Sequence, residues 1–400
     1  YGKMTSYPEA EVERAMRVQE IVMRVYAGKL NWLQAAEILH LSPRQIRRWK
    51  VRYEELGYDG LLDLRRRTPS QRRVGVEEIQ KVLRLYRAEY FDFNVKHFHE
   101  KLQSEHGVVQ SYSWVKNTLQ QAGLVTKDKR RGAHRTRRER RPLPGMMMHL
   151  DGSTHQWLGE EAGYQDLLVV LDDATSEVYS VEMVEQEGTE SVMGVLKEVV
   201  QEHGIFCSLY TDRASHFVYT PKAGGEPDRS VKTQVQRALD ELGIELIVAY
   251  SPQARGRGER LWQTWQGRLP QELRRAGITT MSGANRYLQE VFKPWHNQHL
   301  MVKAKEEGSA FVPVVGRDLE RIFAHVDQRQ VQNDNTVSFE GKRLQIPGSK
   351  QRYTYAKCRV QVYRHLNQTL SVYHGPHCLG RYSSDGQELR STAAAMRRAA

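Results

Sequence analysis

The sequence is poor in cysteine and contains no long apolar run. Only 3 of its 400 residues are cysteines, too few for a disulfide framework and consistent with a reducing compartment. No apolar stretch approaches the roughly 20 residues that a membrane-spanning helix needs. The first residues, Tyr1 to Met4, lack the apolar core of a signal peptide. We therefore expect a cytoplasmic protein with no membrane partner.

Acidic residues are fewer than basic ones, and this imbalance indicates a kind of partner. The chain has 60 Lys and Arg against 48 Asp and Glu, a formal net charge of +12. Such a balance favours a polyanionic partner, of which nucleic acid is the commonest. The alternative is an ordinary basic surface, but the arginines are clustered. The hydrophobic content of 39% and the chain length indicate a globular protein of several domains.

Two short helical patterns near the N-terminus are separated by a turn. Residues 31–39 form the first pattern and residues 44–56 the second, with Ser42 as a favourable N-cap. A short helix, a turn and a basic second helix predict a helix-turn-helix in a domain of residues 1–67. The alternative is a helical hairpin with a solvated basic face. The residues expected to contact DNA are Arg44, Arg47, Arg48 and Lys50.

A second group of three helices is predicted within residues 68–126. Its last helix, residues 111–121, carries Lys116 on the side expected to face outward. We interpret this group as a second helix-turn-helix. The densest basic run follows, in a linker of residues 127–145. It is either a plain solvated linker or a clamp on the DNA backbone, and the preceding DNA-binding modules favour the clamp. Its candidate phosphate contacts are Arg130, Arg131, Arg137 and Arg138.

Residues 146–300 have the pattern of an α/β domain. A continuous apolar run at residues 167–171 predicts a buried strand. The predicted order is three strands, a helix, a strand, a helix, a strand and a long helix, which gives a mixed five-stranded sheet flanked by helices. After it we expect a connector of residues 301–330, a small β-barrel of residues 331–385 and a tail of residues 386–400.

Three carboxylates in the central domain indicate a metal site. Asp151 lies on the first strand and Asp212 follows the fourth, which can pair beside the first. Glu259 precedes Trp262 by three residues, so we expect both to face the sheet. Carboxylates gathered there need a cation between them, and hard oxygen ligands suit Mg²⁺ or Mn²⁺. Two such ions support in-line phosphoryl displacement. In the alternative interpretation, Asp151 and Asp212 cap the ends of their strands, and Glu259 is an N-terminal helix residue that the helix dipole favours.

Other residues near these carboxylates allow two interpretations each. The arginines that border Glu259 are candidates for phosphate contacts or for solvated surface residues; they are Arg255, Arg257 and Arg260. Trp262 and Trp265 have the spacing of core residues, although they could stack on bases. Asp172 and Asp173 lie in a turn and are predicted to be structural. The cysteines and histidines between residues 358 and 378 match no standard closed zinc site.

Three segments resemble the DDE transposases of bacterial insertion sequences, and in particular those of the ISNCY type. They are Asp151–Trp157, Thr211–Ser215 and Ser251–Arg260. The resemblance extends from the N-terminal helices to the β-rich end, and it implies a ribonuclease-H-like, integrase-type catalytic core. It implies that Asp151, Asp212 and Glu259 are the catalytic metal-binding triad. It also implies that water attack nicks the transposon end and that the freed 3′-hydroxyl attacks target DNA. After Asn297 the chain departs from the family pattern, so no role is assigned to that residue.

The expected function is therefore that of a DNA transposase with two bound Mg²⁺ or Mn²⁺ ions. Its expected partners are double-stranded DNA, as terminal inverted repeats and as target, and at least one further copy of the chain. The expected location is the nucleoid of a bacterial cytoplasm. Two alternatives stay open at this point: a DNA-binding regulator with an inert core, and a nuclease of the same fold that cuts without joining.

Overall fold

The computed structural model describes residues 9–63, 74–127, 139–221, 225, 228, 230–249, 256–348 and 352–389. The chain divides into two compact units, residues 1–82 and 83–400. Among the described residues, no helix combines the length and the apolar character that crossing a bilayer requires.

The first unit contains a helix-turn-helix, as predicted. Its helices are α1 (Glu9–Tyr26), α2 (Trp32–Ile38) and α3 (Pro43–Leu56). The Ser42 hydroxyl accepts a hydrogen bond from the backbone N–H of Gln45 and so caps α3 at the predicted position. Ile46 of α3 is buried against α1 and α2. The apolar side of α3 is therefore fixed, and its basic side is left at the surface.

A second group of three helices follows in the chain. They are α4 (Val76–Ala88), α5 (Val95–His106) and α6 (Tyr112–Gln121). Asn94 and Ser111 accept hydrogen bonds from the backbone N–H groups of His97 and Trp114, so each caps its helix. Phe98 and Leu119 are fully buried between these helices. The predicted helices are confirmed to within two residues at each end.

The central domain is built on one mixed sheet of five strands. Their spatial order is β3-β2-β1-β4-β5, with β1–β2 and β2–β3 antiparallel and β1–β4 and β4–β5 parallel. The strands are β1 (Met148–His155), β2 (Gln165–Asp172), β3 (Val178–Val184), β4 (Ser208–Thr211) and β5 (Glu245–Val248). The predicted mixed sheet is confirmed, including the pairing of the fourth strand beside the first.

Helices cover both faces of this sheet. One face packs on α7 (Thr189–His203) and α8 (Gln234–Leu242). The other face packs on a run of four helices, α9 (Gly256–Gln266), α10 (Leu269–Arg275), α11 (Met281–Tyr287) and α12 (Lys293–Leu300), with a π-helical turn at Leu288–Phe292. The long helix predicted from Gly256 is wrong, because it is interrupted between α9 and α10. Pro270 lies in the first turn of α10, where its missing N–H is tolerated, whereas a continuous helix would place it in the interior.

Four side chains from the helical run bind the outer edge of β3. The Asn285 side chain accepts from the backbone N–H of Met183 and donates to its carbonyl, at 2.7 and 2.8 Å. Asn297 makes the same two bonds to Val178, at 2.8 and 3.0 Å. Between them, Gln289 donates to the Val181 carbonyl and Lys293 to that of Tyr179. Asn297, to which the sequence assigned no role, therefore closes a sheet edge. The four residues recur every fourth position, and the π-helical turn keeps that spacing on one face.

The C-terminal part is β-rich but does not close into a barrel. Its strands are β6 (His325–Gln330), β7 (Thr336–Phe339), β8 (Lys342–Gln345), β9 (Arg359–Arg364), β10 (Leu370–His374) and β11 (His377–Tyr382), preceded by the short helix α13 (Leu319–Ile322). Four strands form an open sheet in the order β11-β10-β9-β6, and β7 pairs only with β8. The predicted closed barrel is therefore not confirmed. β6, at residues assigned to a connector, is an edge strand of this sheet. In the described residues the gap between β11 and β8 is bridged by a side chain, since the Tyr382 hydroxyl donates to the Gln345 carbonyl.

Candidate active site

Asp151 lies in the middle of β1, the central strand of the sheet. It pairs in register with Val169 of β2 and is half-buried. A small cavity opens at its side chain, and the residues that line it come from three strands and from α9; they are His149, Leu150, Asp151, Val169, Leu171, Tyr210, Thr211, Gly258 and Leu261. The carboxylate thus lies on the face of the sheet that α9 covers.

Asp212 follows directly on β4, the parallel neighbour of β1. The pairs Met148–Leu209 and His149–Tyr210 set the register of the two strands, and continuing it brings Asp151 level with Asp212. The backbone N–H of Ala214 donates to Asp212 Oδ1 at 2.9 Å, which holds this carboxylate in a turn at the strand end. Asp151 and Asp212, which are far apart in the sequence, are therefore neighbours on the two adjacent inner strands of the sheet.

α9 approaches Asp151 with two residues one helical turn apart. The indole N–H of Trp262 donates to Asp151 Oδ2 at 3.0 Å. Gly258 lies against the same oxygen, because a Cβ on this residue would be only 2.3 Å from it. Trp262 and Trp265 are buried in the cluster beneath α9, so their prediction as core residues is confirmed.

Glu259 does not lie on the buried face of α9, contrary to the expectation from its spacing to Trp262. It is exposed in the first turn of the helix. The buried stripe runs through Leu261, Trp262 and Trp265, and its continuation toward the N-terminus is Gly258. Glu259 is one position off that stripe, which rotates it by about 100° around the helix. The structure therefore places its backbone near Asp151 without directing the carboxylate at it.

A further carboxylate, that of Glu187, lies close to Gly152, on the face of the sheet opposite to the Asp151 side chain. Glu187 Oε2 would be 2.1 Å from a Cβ at Gly152, the residue after Asp151. Its other oxygen lies 3.0 Å from His216 Nε2, at ion-pair distance but without hydrogen-bond alignment. His216 belongs to the loop that follows Asp212. One signal for this contact exists in the sequence, since a glycine inside a strand often marks a close approach of another group.

The residues after Asp151 support the strand. The Trp157 indole donates to the Ser153 carbonyl at 3.1 Å, and its ring lies 5.1 Å from that of His155. Burial lowers the pKa of His155. These contacts hold the end of β1 against the tryptophans of α9.

Asp172 and Asp173 lie at the opposite end of the sheet and are fully buried. Asp172 accepts bonds from the backbone N–H groups of Gly145 and Thr175 and from the Thr175 hydroxyl. Asp173 accepts from the backbone N–H of Arg141 and lies 2.7 Å from His149 Nε2. Their bonds close the β2–β3 turn, in agreement with the structural role predicted for them.

The candidate metal ligands do not form a closed cage. Across the described residues, no three His, Cys, Asp or Glu side chains are arranged to hold a metal ion. Asp151 and Asp212 nevertheless supply hard oxygen donors at one sheet edge, beside a position that Gly258 keeps free of side-chain atoms.

The predicted DNA contacts differ in their surroundings. Arg44, Arg47 and Arg48 are exposed on α3, as expected. Lys50 is half-buried, with its ammonium 5.3 Å from the centre of the Trp32 ring and 3.7 Å from Glu54. This engagement makes it the weakest candidate of the four. Lys116 is half-buried on α6 and Arg260 is exposed on α9. Arg130, Arg131, Arg137, Arg138 and Arg255 lie outside the described residues, as does the side chain of Arg257.

Comparison with known proteins supports the DNA-binding modules and the family. A family model described as a helix-turn-helix domain matches residues 19–69, and one described as a homeodomain-like domain matches residues 45–119. The chain is 30% identical over 339 residues to "Putative transposase y4bF" of Sinorhizobium fredii, covering 84% of this chain and 73% of that protein. It is 26% identical over 397 residues to "Transposase for insertion sequence IS1202" of Streptococcus pneumoniae, covering 88% and 84%.

Solved structures give a weaker likeness. A simian T-cell lymphotropic virus intasome in complex with PP2A regulatory subunit B56 gamma matches at 13% identity and a TM-score of 0.34, covering 64% of this chain and 85% of that one. The HTLV-2 integrase catalytic core domain in complex with magnesium matches at 15% identity and a TM-score of 0.29, covering 41% and 93%.

Helical DNA-binding modules followed by a mixed five-stranded sheet, together with the transposase relatives, support an enzyme of the polynucleotidyl transferase kind. By its relationship to y4bF and IS1202, the chain belongs to the bacterial insertion-sequence transposases.

Proposed function

We propose that this transposase cleaves and joins DNA strands by the DDE mechanism, with Asp151, Asp212 and Glu259 as its catalytic carboxylates. The observation that carries the proposal is the register of β1 and β4, which brings Asp151 and Asp212 level on adjacent parallel strands. Glu259 is adjacent in sequence to Gly258, the residue that lies against Asp151. The three positions are therefore close to one another near the C-terminal end of β4, although the Glu259 carboxylate itself is exposed.

The carboxylate oxygens fit a divalent cation. We propose that the site binds Mg²⁺ or Mn²⁺ and that the active enzyme holds two such ions. Carboxylate oxygens are the ligands these ions prefer. The fit rests on the neighbouring Asp151 and Asp212 and on the side-chain-free position at Gly258. When bound, such ions lower the pKa of attacking water and stabilise developing charge on the leaving oxygen.

The chain's own residues would orient the reacting DNA. Asp212 is held in a turn by the N–H of Ala214 and Asp151 is held by Trp262, so both carboxylates keep their direction during the reaction. Arg260, which is exposed in the first part of α9, would neutralise a backbone phosphate. The proposal keeps Arg255 and Arg257 in the same role.

The proposal assigns DNA recognition to the two helical modules. The exposed arginines of α3 would enter the major groove and read one end of the element, and the module of residues 68–126 would extend the site. The basic linker of residues 127–145 would follow the backbone. We propose residues 146–300 as the catalytic core and residues 301–330 and 331–385 as the connector and the C-terminal β domain, with β6, at the end of the connector, paired to that β domain. Because two ends are joined, the working enzyme would be at least a dimer on terminal inverted repeats and target DNA.

Strand transfer with DNA from either flank of the coding region tests this function. Duplexes ending at each flank are incubated with the full chain and a plasmid target in Mg²⁺ or Mn²⁺. We expect end nicking followed by joined products, and we expect both to be lost in Asp151→Asn, Asp212→Asn and Glu259→Gln. Nicking without joining would support the nuclease alternative. Footprinting on one flank with no metal-dependent nicking would support an inert regulator and overturn the proposal.

A further inference from the structure

Trp262 makes a single polar contact of an unusual kind. It is 9% exposed, and its indole N–H donates to Asp151 Oδ2 at 3.0 Å. An indole offers one donor and no acceptor. Leaving that N–H buried without a partner would be costly, and bonding it to a carboxylate gives a charge-assisted bond stronger than a neutral one. The bond therefore fixes one oxygen of Asp151 as well as the tryptophan.

The same oxygen is limited on a second side by the backbone of α9. Gly258 lies four residues before Trp262, on the same face of the helix. A Cβ at this position would be 2.3 Å from Oδ2, a separation that no carbon and oxygen atom can share without a shift. The carboxylate thus occupies volume that any other residue at position 258 would fill.

The Trp262 ring is held by other rings, so the direction of its N–H is fixed. Trp157 and Trp265 each lie with their ring centres 6.1 Å from that of Trp262. Trp265 is anchored in turn, because its indole N–H donates to His296 Nδ1 at 3.0 Å. A close-packed aromatic group of this kind does not rotate without disturbing its neighbours.

We infer that Trp262 is the positioning residue of Asp151: its N–H and the space left by Gly258 set the orientation in which the carboxylate meets its metal. The inference rests on the proposed function, since it assigns the metal to Asp151. It gives α9 a role beyond carrying Glu259. The orientation of a strand residue is set by the helix that covers the strand.

Trp262→Phe in the full chain tests this inference, because it keeps an aromatic ring at this position and removes the indole N–H donor. Mn²⁺ binding is measured by calorimetry, and the Mn²⁺ concentration for half-maximal nicking is measured in parallel. Loss of a group that orients a metal ligand costs about 10- to 100-fold in affinity. We expect Mn²⁺ binding at least about tenfold weaker, with nicking recovered in part at high Mn²⁺. The matched control is Trp265→Phe, one turn along the same helix, which loses its bond to His296 and should keep its Mn²⁺ affinity.

Gly258→Ala provides a second variant, which acts on the carboxylate from the side of the helix backbone. The added Cβ would displace Asp151 Oδ2, and the helix propensity of alanine, about 1 kcal/mol more favourable than that of glycine, offsets part of the cost of that contact. Weaker Mn²⁺ binding in a protein with an undiminished unfolding temperature would support the inference.

Asp151→Asn separates the two possible failures. If Asp151→Asn abolishes Mn²⁺ binding while Trp262→Phe and Gly258→Ala bind as the wild type does, the positioning role is overturned and the proposed function stands. If Asp151→Asn leaves Mn²⁺ binding unchanged, the metal assignment fails and the inference fails with it. Equal weakening in Trp262→Phe and Trp265→Phe would also overturn it, because the effect would then follow packing and not the bond to Asp151.

Discussion

The central sheet carries two pairs of aspartates, which differ in burial and in their position along the strands. Asp172 and Asp173 are fully buried, and their oxygens accept bonds from backbone N–H groups of the turn they close. Asp151 and Asp212 are half-buried and lie level on parallel strands. A buried carboxylate that accepts bonds from backbone N–H groups has a structural role. The partly exposed carboxylates of Asp151 and Asp212 are accessible to a ligand.

The largest expected effect concerns the exposed pair. Asp151→Asn should reduce nicking and joining by about a thousandfold or more, with little change in the unfolding temperature. The reason is that Asp151 is partly exposed and that an asparagine oxygen can also accept the indole bond from Trp262. Product formation on labelled DNA and a thermal melt measure the two quantities. An unfolded Asp151→Asn protein would remove the contrast with the buried pair.

Asp172→Asn should have the opposite outcome. The amide that replaces one oxygen would face a donor, either Gly145 N–H or the N–H and hydroxyl of Thr175. A buried donor left without a partner costs about 3 kcal/mol, so we expect the free energy of unfolding to fall by that amount in a urea titration. Activity per folded molecule should stay near that of the wild type. A protein of normal stability without activity would contradict the structural role.

The edge of β3 gives a smaller effect of the same structural kind. Asn297→Ala removes both bonds to the backbone of Val178 and should lower the free energy of unfolding by about 2 kcal/mol. The neighbouring Gln298 is exposed, and Gln298→Ala is the matched control, with an expected change within about 0.5 kcal/mol. Equal effects of the two substitutions in urea titrations would show that the edge bonds contribute nothing.

The smallest expected effect is a dependence of stability on pH at the buried end of the sheet. Burial lowers the pKa of His296, although the carbonyl of Ser176 partly opposes this. The unfolded chain therefore takes up a proton near pH 6.5 that the folded chain does not. Stability is complete above that pH and declines below it, by up to about 1.4 kcal/mol per pH unit for each such histidine. Burial likewise lowers the pKa of His97, which adds to the slope.

Urea midpoints measured between pH 7.5 and 5.5 test this dependence. They should fall as the pH falls, and His296→Asn should show a shallower slope than the wild type. Midpoints that rise on acidification would mean that the sign is wrong, and an unchanged slope in the variant would remove His296 as the cause.

Local signals in the sequence identified most helices and strands, but not the break between α9 and α10, not β6, and not the contacts between distant segments. Ser42 marks the start of α3 because a cap depends on residues within one turn. The pairing of β1 with β4 followed from the order of elements, since parallel neighbours need a crossover. The exposure of Glu259 was missed because a shift of one residue in the buried stripe moves a side chain a quarter of the way around a helix.

Other features depend on tertiary structure alone. The contact of Glu187 with Gly152 and His216 joins three segments; the glycine within β1 indicates a close approach but does not specify which groups make it. Barrel closure failed as a prediction because the pairing of a short strand depends on partners far away in the sequence. Strands β7 and β8 pair with each other in a hairpin. The hydrophobic cluster beneath the hairpin also contains residues of the open sheet, so the two sheets are joined by side-chain packing.

The four polar side chains along β3 also bear on how copies of this protein can meet. An open sheet edge is a template on which a strand of another molecule can add. At β3 the N–H and carbonyl groups of Val178 and Met183 and the carbonyls of Tyr179 and Val181 are already bonded within the chain. An intermolecular sheet therefore cannot grow through this edge while α11 and α12 stay in place. Copies that gather at high local concentration on one DNA molecule are protected on this side from fusing into a continuous sheet.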